Sequence, residues 1–287
     1  MKTFKTNIIS IYGDKGKAWL EALPKLVEEI SLKWGLTGLQ PVYNLSYNYV
    51  LSGFRGTQPI ILRLGLDKEG LHREAEALRA FIGFGAVSVL AEQECALLLE
   101  RAIPGASLKD SFSKKDQHAL QIACQVTQKL HQAPLPEKSF PHIHEWLKAL
   151  DHGPEFIAAR TIPDVRERII TYLEKARYLR DKLLKKHLFE SVLLHGDLHP
   201  ENILQNGEEW MVIDPKGVIG SPIHEVWAFI IDFETDTQFV ADFFAFDVQE
   251  VREWYFVHLM LALCWSLEDG TSLNPFLGLA EKVYPLV

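Results

Sequence analysis

Cysteine is scarce in this chain. Its three cysteines, Cys95, Cys124 and Cys264, lie far apart in 287 residues, with no CxxC or CxxxC spacing. Neither a disulfide framework nor a zinc ribbon is expected from such a set. Long apolar runs are missing too: none reaches the roughly 18 residues that suggest a membrane helix. The opening MKTFKTNIISIYGDKGKAW has no long apolar core and no small-residue cleavage pattern, so no secretory leader is expected. A reducing cytoplasm is the expected compartment. No internal repeat or low-complexity tract stands out. Basic charge is sparse towards the end: Val218 to Val287 holds eleven acidic residues against Arg252 and Lys282, a local net of −9 within a total of −8. That balance disfavours nucleic acid, whose phosphates would be repelled. It suits a cationic ligand, although solvated helix faces are the plainer explanation.

What is present is ordinary in bulk: 47% hydrophobic and 24% charged residues, enough for one large domain or two smaller ones. Trp19, Leu20, Leu23, Leu26, Val27, Ile30 and Trp34 recur at three- and four-residue steps, predicting a helix over 15–34 that Gly35 ends. Strands are predicted at Tyr47–Ser52 and Pro59–Leu64, joined by the turn-rich Gly53-Phe54-Arg55-Gly56, and again at Val87–Ala91 and Ala96–Glu100. A helix is expected over 70–82. Pro104-Gly105 breaks the chain, and helices follow at 114–132 and 164–187. A strand-rich part, 1–102, thus precedes a mainly helical part, 103–287.

One stretch carries chemistry. LLHGDLHPENILQNGEEWMVIDPKG, from Leu193 to Gly217, sets His195, Asp197, Asn202 and Asp214 around two apolar pieces that read as a short hairpin, Leu193-Leu194 and Met211-Val212-Ile213. His195 to Asn202 fits H-x-D-x-x-x-x-N, the catalytic-loop spacing of protein kinases. Asp214 follows twelve residues later. Phosphoryl transfer needs a base aimed at the incoming hydroxyl, a task suited to Asp197. It also needs Mg²⁺ held on the ATP phosphates by few protein oxygens, a task suited to Asn202 and Asp214.

HGDLHPENIL with VIDPKG resembles the aminoglycoside phosphotransferase superfamily, and within it the streptomycin 6-kinase and hydroxyurea kinase family. The resemblance extends along most of the chain. Ile60 to Gly65 is similar to the third strand of the amino-terminal lobe, and Arg73 to Leu78 to the helix whose glutamate pairs with that strand's cation. Leu97 to Arg101 with Pro104-Gly105 is similar to the hinge, and Lys129-Leu130-His131 to the Leu-His pair that follows. The resemblance implies an α+β, bilobal, protein-kinase-like fold: a five-stranded antiparallel sheet and helix, then a larger helical lobe, with ATP between them. It implies Asp197 as base and Asn202 and Asp214 as Mg²⁺ ligands. Arg63, braced by Glu74, would meet the phosphates, with Ser46 and the backbone near Glu100–Ala102 completing the nucleotide site. His195 and Glu225 would brace the loop. Independently of the resemblance, Asp232, Glu234 and Asp236 are candidates for an acceptor rim that would favour a cationic small molecule, with simple surface solvation an equal alternative. The cofactors implied are ATP and Mg²⁺, with no nucleic acid or membrane partner.

Three departures matter. Arg63 stands where the family usually has Lys, and the two differ in geometry. Leu45–Ser52 contains no GxGxxG. Lys216 has the reach for a phosphate, but the sequence does not separate that role from simple solvation. Two decoys are set aside. Gly13-Asp14-Lys15-Gly16-Lys17-Ala18 lacks the first Gly and last Ser/Thr of a P-loop. His142-Ile143-His144 lacks the further ligands of a two-metal phosphoesterase. Three functions remain in view: an antibiotic-type kinase acting on an aminocyclitol or hydroxyurea, a housekeeping kinase for a sugar, choline-like amine or amino alcohol, and a nucleotide-binding pseudokinase. Retention of Asp197, Asn202 and Asp214 together argues against the last.

Overall fold

A computed structural model describes residues 2–42, 45, 47–111, 117–137, 140–152, 155, 163–186 and 191–287. Ser46 therefore lies outside the described residues. Contacts divide the chain into two compact units, residues 1–106 with 204–216, and residues 107–203 with 217–287.

The first unit opens with α1, Lys2–Trp34, longer than the 15–34 helix that periodicity predicts. Gly13, at φ 55° and ψ −128°, breaks it into two segments, which hides the first segment's apolar spacing. A Cβ at Gly16 would sit 2.6 Å from the Ile8 carbonyl oxygen, so the segments press closely together at the break. The P-loop-like residues thus mark the start of the second segment, where Lys17 donates to Asp14 at 2.9 Å.

Strands β1 (Leu36–Pro41), β2 (Tyr49–Arg55) and β3 (Gln58–Leu64) follow. Gly53 and Phe54 lie within β2 rather than in the expected turn, paired with Ile60 and Pro59. Then come α2 (Lys68–Ala80), β4 (Val89–Gln93), β5 (Ala96–Glu100) and β6 (Pro104–Ser107). Five strands form one sheet in the order β1-β2-β3-β5-β4, with every neighbouring pair antiparallel. The two-residue period of β3 sorts its side chains. Ile60, Leu62 and Leu64 join Phe4, Ile8 and Ile30 of α1 in one core. Ile61 and Arg63 face the other way, beside their cross-strand partners Leu99 and Leu97. On α2, Leu71, Glu74, Ala75 and Leu78 are buried at three- and four-residue steps. Helical spacing therefore turns Glu74 inward with the apolar residues.

The second unit contains α3 (Gln117–Leu130), α4 (Ile143–Leu147), α5 (Pro163–Leu183) and the three-residue β7 (Val192–Leu194). The chain then rejoins the first unit through β8 (Ile203–Asn206) and β9 (Glu209–Val212), which form a three-stranded sheet with β6. Its hydrogen bonds explain the grouping: Gly207 N–H donates to the Ile103 carbonyl at 2.7 Å, and Val87 N–H to that of Val212 at 3.1 Å. The expected single cut after residue 102 gives way to a boundary at 106 with a returning segment.

Back in the second unit, β10 (Val218–Gly220) pairs antiparallel with β7, Val218 opposite Leu194. The expected hairpin between Leu193-Leu194 and Met211–Ile213 is thus replaced: β9 pairs with β8's sheet, and β7 finds a partner later in the chain. Helices α6 (Phe233–Phe244), α7 (Val248–Asp269) and α8 (Asn274–Val283) complete the unit. Trp254 to Cys264 are all buried on α7, a stretch apolar on every side except at His258. Among the described residues, no helix is long and apolar enough to cross a membrane.

Candidate active-site halves

In the second unit, the loop after β7 ties itself together. Gly196, at φ 83°, makes the turn, and a Cβ there would meet Trp146 Cη2 at 2.8 Å. The His195 imidazole Nδ1 accepts the Asp197 N–H at 3.2 Å. The Asp197 carbonyl accepts the His199 N–H at 3.0 Å and the Asn202 Nδ2 at 2.9 Å. This last bond fixes the Asn202 amide, leaving its Oδ1 as an acceptor.

Glu225 supports the loop from below. Its Oε2 accepts the His195 N–H at 2.5 Å, and its Oε1 accepts the Gly196 N–H at 3.0 Å. His131 Nε2 lies 3.6 Å from Oε2, within ion-pair reach. Burial alone would raise the Glu225 carboxyl. His131, the His195 ring and the Gly196 N–H outweigh it and hold the group below its ordinary value.

Asp197 differs from these neighbours. Its side chain is 42% exposed, and it borders a cavity of about 420 Å³ within this unit. Trp146, Trp227, Trp265 and Phe276 give that cavity an aromatic lining, and His199, His224 and His258 add polar edges. Burial pushes His258 down to about 4, so its ring is neutral at neutral pH. It lies 3.1 Å from His224 Nδ1 and stacks on Trp227 at an interplanar angle of 7°.

This lining leaves no pattern along the chain. Its four aromatic residues belong to four separate segments and share no motif. One signal is present, a histidine, His258, inside the apolar run Trp254 to Cys264.

The three acidic residues expected at an acceptor rim serve the start of α6. Asp232 is its N-cap, accepting the Thr235 N–H at 3.2 Å. Asp236 is buried and accepts the N–H groups of Ile231 and Asp232 at 2.9 and 2.8 Å. Glu234 is exposed in the first turn. None of the three lines the cavity beside Asp197.

In the first unit, Arg63 joins two carboxylates. Its Nη1 bonds Glu74 Oε1 and Asp214 Oδ1, the latter at 3.1 Å, and its Nη2 lies 2.9 Å from Asp214 Oδ2. Lys216 Nζ adds a contact of 2.8 Å to Asp214 Oδ1. The carboxylates share one guanidinium unequally. Burial pushes Glu74 up to about 6 against the pull of Arg63. Burial also opposes charge on Asp214, but Arg63 and Lys216 hold it well below the usual carboxylate range. Asp214 is therefore the carboxylate held more firmly in its charged form, and its backbone sits at φ 61°. An ionised carboxylate of this kind suits a hard cation such as Mg²⁺. No cluster of three His, Cys, Asp or Glu able to hold a metal occurs among the described residues. A Mg²⁺ bound chiefly by phosphates and water requires none.

A second cavity of about 200 Å³ is bordered by Asn48, Arg73, Glu74, Asp214 and Lys216. At the expected hinge, the Glu100 N–H is bonded to the Ser88 carbonyl at 2.9 Å, and its carboxylate accepts the Ser88 N–H at 3.1 Å. Ala102 is buried close by in sequence.

Residues 49–247 match the family of aminoglycoside/hydroxyurea antibiotic resistance kinases. The chain is 26% identical to a streptomycin 6-kinase of Streptomyces glaucescens, over 92% of this chain and 90% of that protein. It is 30% identical to a hydroxyurea phosphotransferase of Kitasatospora aureofaciens, over 92% of this chain and 78% of that one. Among solved structures, a thermostable aminoglycoside phosphotransferase mutant bound to ADP and hygromycin B is similar, with a TM-score of 0.70 at 16% identity over 89% of this chain and 96% of that one. The choline kinase LicA from Streptococcus pneumoniae also gives 0.70, at 12% identity over 93% and 100%. At such identities the structural likeness carries the fold, which is protein-kinase-like.

Proposed function

Since the chain belongs to the aminoglycoside/hydroxyurea antibiotic resistance kinase family and is thereby a phosphotransferase, we propose that it transfers the γ-phosphoryl group of ATP, with Mg²⁺, to a hydroxyl of a small molecule. The observation that carries this reading is Asp197: a half-exposed carboxylate, on a loop pinned by Glu225, at the edge of a cavity in its own unit. In this role Asp197 accepts the proton of the attacking hydroxyl. In its own unit Asn202 would offer Oδ1 to Mg²⁺, and in the other unit Asp214 would offer its carboxylate; the ion when bound would neutralise charge on the phosphates. Motif spacing and the donor chemistry of each residue support this assignment. The backbone at Ala102 is the better candidate for adenine, because the Glu100 N–H is already engaged. Three cysteines without a disulfide fit a reducing compartment such as the cytoplasm.

For the acceptor, the relatives' names supply two classes, aminocyclitol antibiotics and hydroxyurea. A volume of about 420 Å³ favours the larger class. The tryptophan faces beside the Asp197 carboxylate suit a cationic group on that acceptor. The same lining favours one second reading, a kinase for an N-alkylated amino alcohol, because such cations also bind aromatic faces.

The test is ATP consumption over aminoglycosides, aminocyclitols, hydroxyurea, sugars and amino alcohols. Acceptor-dependent ADP release with an aminocyclitol is expected. Release that responds only to amino alcohols would select the second reading. No acceptor-dependent release with any of them, from protein that binds ATP, would overturn both.

A further inference from the structure

We propose that Lys216, rather than Arg63, is the side chain that contacts the nucleotide phosphates. This inference rests on the reading of the chain as an ATP-dependent phosphotransferase, and it assigns a role within that site.

Arg63 is committed elsewhere. Both hydrogens of its Nη1 are spent, one on Glu74 and one on Asp214, and its Nη2 faces the second Asp214 oxygen at 2.9 Å. One hydrogen of Nη2 is left over, Nε is buried with no hydrogen-bond partner, and the side chain is only 14% exposed. Turning the guanidinium towards a phosphate would strip the counter-charge from Glu74, whose side chain is 6% exposed. A buried carboxylate left without its partner is strongly disfavoured. The planar fork that suits Arg63 to two carboxylates also ties it to them. Its role is to position Asp214 and neutralise Glu74.

Lys216 has the opposite character. Its side chain is 44% exposed, and its ammonium meets Asp214 at 2.8 Å from Oδ1 and 3.5 Å from the carbonyl oxygen. It borders the 200 Å³ cavity together with Arg73 and Asn48. An ammonium on a flexible four-carbon stem can swing from Asp214 to a phosphate oxygen without uncovering Glu74. The loop that presents it is shaped by two residues in the left-handed region, Asp214 at φ 61° and Gly217 at φ 67°. Phosphate is bound well by such a point charge. The cation that the third strand would supply is thus transferred to the loop after β9.

Equilibrium binding without turnover tests this. Calorimetry would compare ADP with adenosine for wild type, Lys216→Gln and Lys216→Arg. The ratio of the two affinities isolates the phosphate contribution from adenine. Lys216→Gln is expected to lower the ADP-to-adenosine preference about tenfold, the size of one charged contact. Adenosine affinity and the thermal midpoint should stay unchanged, because the side chain is half-exposed. Lys216→Arg should restore most of the preference, and steady-state kinetics should show the KM for ATP rising in Lys216→Gln with the acceptor KM unmoved. A Lys216→Gln protein that keeps the wild-type preference would overturn the proposal and return the phosphates to Arg63. A wild-type protein showing no preference for ADP over adenosine would instead overturn the phosphotransferase reading on which it rests.

Discussion

Replacing Glu225 by Gln removes a buried negative charge while keeping the side chain's shape. Glu225 is 3% exposed and accepts two consecutive backbone N–H groups, from His195 and Gly196. A carboxylate can accept both. A glutamine presents one oxygen and one NH₂, so one buried N–H meets another donor. Leaving that donor unpaired costs about 1–3 kcal/mol, and the surviving bond loses its charge assistance, about 1 kcal/mol more. A total of about 2–4 kcal/mol should lower the thermal midpoint by roughly 5–15 °C for a unit of this size. Glu225 holds the loop that carries Asp197, so turnover should also fall as Asp197 loses its position. The pH dependence gives a separate check. The folded carboxyl lies below its ordinary value, so the unfolded chain, near about 4.3, takes up the proton first. Glu225 therefore contributes fully above about pH 5, and the contribution disappears as pH falls through the lowered folded value. Paired melting curves of wild type and Glu225→Gln should converge as pH falls through that lowered value. A midpoint unchanged at pH 7, with unchanged turnover, would refute the bracing argument.

Asp197→Asn should cut turnover by about 10²–10⁴ with the melting temperature unchanged, checked by coupled ADP release and calorimetry. Asp214→Asn should abolish Mg²⁺-dependent turnover, and a Mg²⁺ titration that matches wild type would remove Asp214 from the metal site. Gly196→Ala should destabilise by about 1–3 kcal/mol in urea unfolding, because φ 83° and Trp146 at 2.8 Å both oppose a Cβ. Asp236→Ala should cost about 2–4 kcal/mol by releasing two backbone N–H groups. Its acceptor KM should stay at the wild-type value; a large rise would favour an acceptor rim over helix capping.

The loop from His195 to Asn202 was legible because its function requires fixed spacing between few residue types. The α+β class and five-stranded sheet were legible through the resemblance, together with period-two and helical apolar patterns. Other features hid for identifiable reasons. The first segment of α1 was lost because Gly13 resets the helical phase, so Phe4 and Ile8 fall out of register with Leu23 and Ile30. Strand β1, Leu-Thr-Gly-Leu-Gln-Pro, buries only Leu36, and an edge strand containing Gly and Pro offers no alternation to read. The partner of β7 was misread because three residues contain too little pattern to choose between Met211–Ile213 and Val218–Gly220. The tryptophans around Asp197 were invisible as a set, since only tertiary packing gathers 146, 227 and 265.

The return of residues 204–216 to the first unit has a consequence for synthesis. A chain emerging from the ribosome presents the whole five-stranded sheet once residue 100 is out, yet the hairpin β8–β9, which bonds to Ile103 and Val87, is about a hundred residues behind. The first unit cannot be finished until Lys216 has emerged, by which time α3 to α5 of the second are already available to fold. Strictly sequential, unit-by-unit folding is therefore closed to this chain. A fragment ending near residue 106 would leave the Ile103 and Val87 backbone groups and Arg63 without the partners that residues 207, 212 and 214 supply.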